Sequence, residues 1–439
     1  MTTRRAFLAH AGTAAGALVL APSAALAGPP LPSPALAARV RDALRSTPAA
    51  PAALAEDEAF WATVRADYAL HPEILNLDHG WTNPTPRAAV DRLVQGARDL
   101  ESLPADRLPR LWEEVTTTTV RAAVAAAMGV PPQEIALVRN ATEALDTVLL
   151  GVPLAAGDEI VCSAHDYYAM LDALDQRRRR DGVVLRIVRP AIPTPSLDAL
   201  AAAYEAAIGP RTRLVLLTHP SNLTGQLLPA RRIADAAHRA GAEVVVDGAQ
   251  SLGVLEDPVR ALDCDYYGAS MHKWLGAPVG MGALWMRPAH VGKVWPLVPS
   301  PGSETGMGRF EWIGTTPEYI NPALLPALEV HQALGPARKA ARLRYLAGHL
   351  RARVRAALPD ARFYTRDDPT MSVGLTTIEL AGRDHKLLQQ RLLKEQRILV
   401  QAMVDIRSAP EIRGLRVSPN VYTTPAEIDR FVAALARLA

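Results

Sequence analysis

From about residue 118 onward, short apolar runs alternate with stretches whose apolar residues recur every three or four positions. The first pattern belongs to buried strands and the second to amphipathic helices. Helices are predicted at Val120 to Met128, Glu143 to Leu150, Leu197 to Ala207 and Arg231 to Arg239. Strands are predicted at Glu159 to Cys162, Val183 to Val188, Arg213 to Thr218 and Glu243 to Val246. Apolar strands separated by helices imply parallel β-α units with right-handed connections and helices on both faces. After about residue 320 the texture changes. Helices predicted at Pro326 to Leu334 and Ala337 to Leu358 precede a strand at Val373 to Leu380, a helix at His385 to Glu395, a strand at Ile398 to Val400 and a last helix at Pro425 to Leu438. The expectation is an α/β chain. A mostly parallel sheet sandwiched by helices forms a large domain over 70–320, and a small C-terminal α+β domain follows over 321–439.

In such sheets ligands sit at the carboxyl ends of the strands. That rule selects Asn140-Ala141-Thr142, Tyr167, His219 to Asn222 and Asp247 to Gln250.

The N-terminus carries a different signal. Arg4-Arg5 precedes Phe7-Leu8, a soft apolar stretch runs from Ala11 to about Leu20, and Ala25-Leu26-Ala27 closes it. The stretch is short and broken by Pro22, which marks a cleavable signal peptide over 1–27 rather than a membrane helix. The paired arginines resemble the twin-arginine export signal. This implies the twin-arginine machinery as a partner and a periplasmic or exported mature chain. Residues 28–69 are expected to form an N-terminal tether and helix, rich in Ala and Pro at first.

Composition narrows the function. With 48 Lys+Arg against 45 Asp+Glu among 439 residues, the net charge of +3 excludes a dedicated nucleic-acid binder. Two cysteines exclude a disulfide scaffold and a four-thiolate zinc site, and no metal is expected. Beyond the N-terminus no apolar run is long enough for a membrane span. Arg177 to Arg180, without interleaved aromatics, is expected to be a solvated helix end.

The most informative stretch is Val244-Val245-Val246-Asp247-Gly248-Ala249-Gln250, followed by Ser270-Met271-His272-Lys273. An acid ends a buried strand, and a lysine follows it by 26 residues, flanked by Ser, His and glycines. Alone, such a lysine is usually on the surface. The whole pattern resembles the class V aminotransferase family, pyridoxal 5'-phosphate (PLP) enzymes of fold type I that include cysteine desulfurases and isopenicillin N epimerases. The likeness covers roughly residues 70–435.

The resemblance implies a role for each matching residue. Lys273 forms the Schiff base with PLP and serves as the base, and Asp247 pairs with the pyridinium nitrogen. Gln250 bonds the phenolic oxygen. Ala141 and Thr142 form the phosphate cradle at a helix N-terminus, joined by Ser270 and His272. Asn222 stands beside the cofactor. Tyr167 occupies the place of a ring-stacking group, with His165 as the alternative. Arg416 grips a substrate carboxylate. Thr315, in Trp312-Ile313-Gly314-Thr315, resembles a residue that reaches the phosphate from a neighbouring subunit, which implies a homodimer with shared active sites.

The chain departs from the desulfurases where their mobile nucleophilic cysteine lies: Leu399 to Ser408 contains no Cys. Cys162 and Cys264 lie elsewhere and read as apolar packing. The likeness is instead to the isopenicillin N epimerase branch. Leu75-Asn76-Leu77-Asp78-His79-Gly80-Trp81 resembles that branch's substrate loop, making His79 and Trp81 candidate substrate contacts. The expected function is an exported PLP enzyme acting at Cα of an amino acid, free or within a peptide, through an external aldimine. Epimerisation and transamination are open, with peptide-siderophore tailoring one substrate expectation. The alternatives are a carbon–sulfur (β-elimination) lyase and, outside catalysis, a degenerate periplasmic binding protein. A nucleotide-binding α/β protein is disfavoured by the absence of any phosphate-loop signature.

Overall fold

The computed structural model describes residues 36–46, 50–107, 112–256, 258–299 and 306–439. The signal peptide expected over 1–27 lies outside the described residues. The strands are β1 (Leu75–Asn76), β2 (Ile135–Val138), β3 (Glu159–Ser163), β4 (Val184–Val188), β5 (Thr212–Thr218), β6 (Glu243–Asp247), β7 (Tyr266–Ser270) and β8 (Gly282–Met286). The C-terminal third adds β9 (Arg362–Phe363), β10 (Thr376–Glu379), β11 (Ile398–Leu399), β12 (Gln401–Met403) and β13 (Gly414–Val417).

A seven-stranded sheet runs in the order β2-β8-β7-β6-β5-β3-β4. Only β8 opposes its neighbours β2 and β7; the remaining pairings are parallel. Its central strands are apolar on both faces because both faces are covered by helices. Val215, Leu217, Val244 and Val246 face one core, and Leu214, Leu216 and Val245 face the other. This is the mostly parallel α/β architecture expected. Sequence reading overlooked β2, β7 and β8, because each is only four or five residues long and β7 and β8 mix apolar residues with Gly, Ala or Ser.

Helix Ala141–Gly151 starts two residues before its expected start. Asn140, in extended conformation, caps it by accepting from the Glu143 N–H at 2.9 Å. Helix Tyr168–Asp181 corrects the expectation for Arg177 to Arg180. Met170, Ala173, Leu174 and Arg177 share its buried face. Arg177 donates to the carbonyls of Leu149 (2.8 Å) and Val152 (3.0 Å), so it ties two helices together. Only Arg178 to Arg180 are solvated.

The second sheet is antiparallel, in the order β12-β13-β10-β9. Helices Pro336–Ala357, His385–Gln396 and Pro425–Leu438 cover it through Leu346, Leu350, Leu388, Leu392, Phe431 and Leu435. Thr424 opens the last helix with a reciprocal capping box to Glu427. The strand expected at Val373 to Leu380 shrinks to β10, since Val373 packs into another cluster with Trp61 and Tyr422. β1 pairs in parallel with β11, Leu75 opposite Ile398. An isolated bridge then joins Asp78 to Ser418. Helix Leu36–Ser46 buries Leu36, Ala37 and Val40 in the cluster that holds Trp61 and Leu334. Among the described residues no helix is long and apolar enough to cross a membrane.

At the far ends of β6 and β7, Asp265 gathers three hydrogen-bond partners, His238 Nε2 (2.8 Å), His290 Nε2 (3.0 Å) and the Val244 N–H (2.8 Å), and lies 3.1 Å from Arg287 Nε, whose N–H goes to the Cys264 carbonyl. Burial pushes this carboxyl up, but the bonds from His290 and His238 outweigh it and hold it at about 2. A depressed folded value stabilises the protein above the unfolded value near 3.8, and that stabilisation is lost as pH falls through about 2. Asp265→Asn is therefore expected to cost about 2 kcal/mol at neutral pH and much less at pH 2, read by urea unfolding at both pH values.

Candidate active site

The carboxyl ends of β3, β5, β6 and β7 open onto one cavity of about 620 Å³, closed on its other side by Gln401 to Ser408 and Arg416. At the end of β6, Asp247 is buried, and its Oδ1 accepts from the Ala249 N–H at 3.0 Å. Gly248 has to be glycine: a Cβ there would lie 2.0 Å from the Tyr267 ring carbon Cζ. Tyr267 packs so close because its hydroxyl bonds Ser251 Oγ at 2.7 Å.

Lys273 lies in the turn after β7 and is held from both sides. Asn83 Nδ2 donates to the Lys273 carbonyl at 2.7 Å, and the Asn83 N–H donates to the His272 carbonyl at 3.0 Å. Lys339, itself buried, donates to the Trp274 carbonyl at 2.6 Å. The Trp274 indole N–H donates to Gln250 Oε1 at 2.7 Å, and Gln250 Nε2 donates to the Gly80 carbonyl at 2.9 Å. One Nε2 hydrogen of Gln250 is left for a further acceptor. Burial pulls the Lys273 amine down to about 8, against the Asp247 charge, which raises it. Burial pushes the Asp247 carboxyl up, while Lys273 pulls it back.

The N-terminus of helix Ala141–Gly151 supplies the anion end. Gly282 on β8 lets the Asn140 backbone lie against it; a Cβ at Gly282 would meet Asn140 Cα at 2.6 Å. The Ala141 N–H donates to Ser270 Oγ at 2.9 Å, which fixes the cradle to the end of β7. Thr142 and His272 complete the wall.

The wall itself tests whether the expected cofactor fits. Thr218 Oγ1, Asn222 Oδ1, His272 Nδ1 and Arg416 Nε are buried without a hydrogen-bond partner, and all four residues line this cavity. Buried polar atoms normally have partners. A polar group seated here, anionic at the helix end and aromatic beside Tyr167, would supply them. The residues present therefore fit a phosphate-bearing ring.

The structure brings together Ala141, Thr142, Tyr167, Asn222, Asp247, Gln250, Ser270, His272, Lys273, Arg416 and Trp81. Tyr167 is on the wall with Tyr168 beside it, their rings 4.5 Å apart. His165 lies outside the cavity, with Nε2 3.2 Å from Glu411. Two expected residues are not on the wall. His79 is corrected: it is buried edge-on against Tyr422, ring centres 5.3 Å apart, and burial lowers it to about 4. It packs behind the wall, while Trp81 stands on the wall and is exposed to solvent. Thr315 is exposed and away from the cavity of its own chain. The preceding Glu311 is anchored by Arg121 at 2.7 Å and by the Leu137 N–H at 2.7 Å.

Sequence reasoning missed Asp166 and Asp78. Asp166 accepts from the N–H groups of Ser163 (2.7 Å) and Thr218 (3.3 Å), joining the ends of β3 and β5, and burial pushes it to about 7. Its signal was the strand-end rule that selected Tyr167. Asp78 reaches Arg416 Nη2 at 2.7 Å, a contact across 338 residues that no local pattern announces. Among the described residues no cluster of His, Cys, Asp and Glu could hold a metal ion.

A family model described as aminotransferase class-V matches residues 75–431. The chain is 33% identical over 399 residues to an isopenicillin N epimerase of Streptomyces clavuligerus, covering 85% of this chain and 97% of the relative. It is 34% identical to another from Amycolatopsis lactamdurans, covering 86% and 98%. Among solved structures, a C-DES mutant with glycine covalently linked to its PLP cofactor superposes with a TM-score of 0.75 at 24% identity, covering 85% of this chain and 98% of the other.

Proposed function

We propose that this chain, which belongs to the aminotransferase class V family, is a PLP-dependent enzyme acting at Cα of an amino acid, free or within a peptide, as an epimerase or aminotransferase. PLP dependence comes with the family; the reaction at Cα is the finer reading. One observation carries it: Lys273 is half-buried, with its amine drawn down to about 8 by desolvation, in a cavity that also holds a buried Asp247 and a helix N-terminus. Likeness to epimerases over nearly the whole chain supports the choice of Cα chemistry.

Bound PLP supplies an electron-withdrawing ring that stabilises negative charge developing at the substrate Cα. The chain supplies the rest. Thr142, at the N-terminus of helix Ala141–Gly151, and His272 Nδ1 would hold the phosphate. Asp247 would present its carboxylate to the ring nitrogen and favour a proton there. Tyr167, on the cavity wall, would cover one face of the ring and exclude water from it. Lys273, neutral above about pH 8, takes the Cα proton on its Nζ and can return it. Arg416 orients the substrate through its carboxyl group.

The reading includes a homodimer in which Thr315 of one subunit faces the phosphate end of its neighbour, supported by the exposure of Thr315 and Trp312 and checked by molar mass in solution. It also includes twin-arginine export, supported by Arg4-Arg5 and checked by whether replacing both with Lys retains the protein inside the cell. The test of function is to incubate the PLP-loaded protein with d- and l-amino acids and short peptides. Racemised substrate or a keto acid is the expected product. Sulfide release from cysteine or cystine would move the assignment to a carbon–sulfur lyase. Absence of a visible absorption band after PLP addition would remove the enzyme reading.

A further inference from the structure

We propose that Asp78 is a specificity-determining counter-ion, a buried carboxylate that occupies part of Arg416 and turns the site toward amino-acid residues whose carboxyl is masked as an amide. The inference rests on reading Arg416 as the group that takes the substrate carboxyl.

Arg416 is buried on β13 and its donors are unevenly spent. Nη2 holds Asp78 Oδ1 at 2.7 Å, Nη1 donates to the Asn222 carbonyl at 3.0 Å, and Nε has no partner. A guanidinium carries five N–H donors. The donors left for a ligand thus lie in the same plane as a resident carboxylate. Asp78 is fixed there by backbone. β1 adds to β11, the bridge to Ser418 brings Asp78 beside the end of β13, and the Asp78 N–H donates to Asn76 Oδ1 at 2.8 Å. Gly80, two residues on, packs closely beside it: a Cβ there would stand 3.3 Å from both Ser418 Oγ and Leu375 Cδ1 and 3.6 Å from Arg416 Cζ.

The charge balance follows. Arg416 from β13 and Lys273 from the turn after β7 face Asp78; burial raises its carboxyl, and both cations pull it back. The neighbouring His79 is buried, and burial lowers it to about 4. Arg416 and Asp78 together are neutral. An incoming carboxylate meets a neutral pair and, within one guanidinium's width, a like charge; at short range in a buried site that repulsion is large. An amide oxygen can take a remaining guanidinium N–H with no such penalty. A peptide-embedded residue, whose own carboxyl is an amide, is the class this arrangement favours.

The probes are propionate and propionamide, which differ only in that group and react with nothing in the site. Their affinities for the holoenzyme are read by ligand-observed NMR titration, for wild type, Asp78→Asn and Arg416→Met, with a melting curve for each. Wild type is expected to bind propionamide about tenfold more tightly than propionate. Asp78→Asn keeps an acceptor for the guanidinium and is expected to tighten propionate by about tenfold while leaving propionamide within about twofold. If Asp78→Asn does not fold, Asp78→Ser is read the same way. An unchanged or weakened propionate affinity in the folded variant overturns the counter-ion role, since a purely structural Asp78 would only loosen Arg416. Arg416→Met is expected to weaken both probes. Wild-type affinities in Arg416→Met would instead remove the arginine reading on which the proposal stands.

Discussion

Lys273→Ala is expected to remove the Schiff-base absorption band of the PLP-loaded protein and to lower turnover by about 10⁴-fold or more, the scale of removing a group proposed to act both as anchor and as base. Borohydride should fix the cofactor covalently in wild type and not in the variant. The pH dependence offers a sharper check. Only the neutral amine attacks a carbonyl. With the amine at about 8, capture of PLP by the apo protein should accelerate roughly tenfold per pH unit below that point and level off above it. A lysine at its ordinary value of 10.5 would keep accelerating through pH 9 and 10. The fold should survive the substitution, because the turn is held through backbone carbonyls by Asn83 and Lys339. One secondary effect is expected: without the ammonium that pulls its carboxyl down, Asp247 should take a proton more readily.

Asp247→Asn is expected to reduce turnover by about 10³-fold, equivalent to roughly 4 kcal/mol of lost transition-state stabilisation. The amide oxygen can still accept the Ala249 N–H, so the local turn is preserved while the charge is lost. In the proposed role the charge would support a proton on the ring nitrogen, and it raises Lys273. Its removal should therefore shift the PLP-capture profile to lower pH while turnover falls. A general disturbance of the site would slow both together. Steady-state turnover and stopped-flow PLP capture on the same preparation distinguish the two.

Much of this site was legible locally. A buried acid at a strand end, a lysine with Ser and His before it, and a Thr-bearing helix start are patterns of a few residues whose chemistry is fixed by their element. The parallel core followed from apolar runs such as Val244–Val246, whose continuous hydrophobicity requires cover on both faces. Other features depended on contacts distant in sequence. Asp78 meets Arg416, Arg65 meets Glu427 and Asn83 meets Lys273, each across 190 residues or more. Arg177 read as solvent-facing because its neighbours are arginines, yet its position on the helix buried it against Leu149 and Val152. His79 read as a ligand contact because its loop resembles a substrate loop, yet its ring is buried edge-on against Tyr422.

The threading of β1 onto β11 has a consequence for biosynthesis. Strands β2 to β8 are complete once residue 286 has left the ribosome, so the large sheet can form while a third of the chain is still unmade. The stretch from Leu75 to Asn83 must wait. Its strand partner arrives at Ile398, its ion-pair partner at Arg416, and Asn420 and Tyr422 close on Asn83 last. A nascent chain halted near residue 390 would already present Asp247 and Lys273, but with an unpaired N-terminal strand and an open cavity wall. Maturation of the pocket is thus timed by the late stages of translation, and a quality-control check made on the finished wall would pass only chains extended past Tyr422.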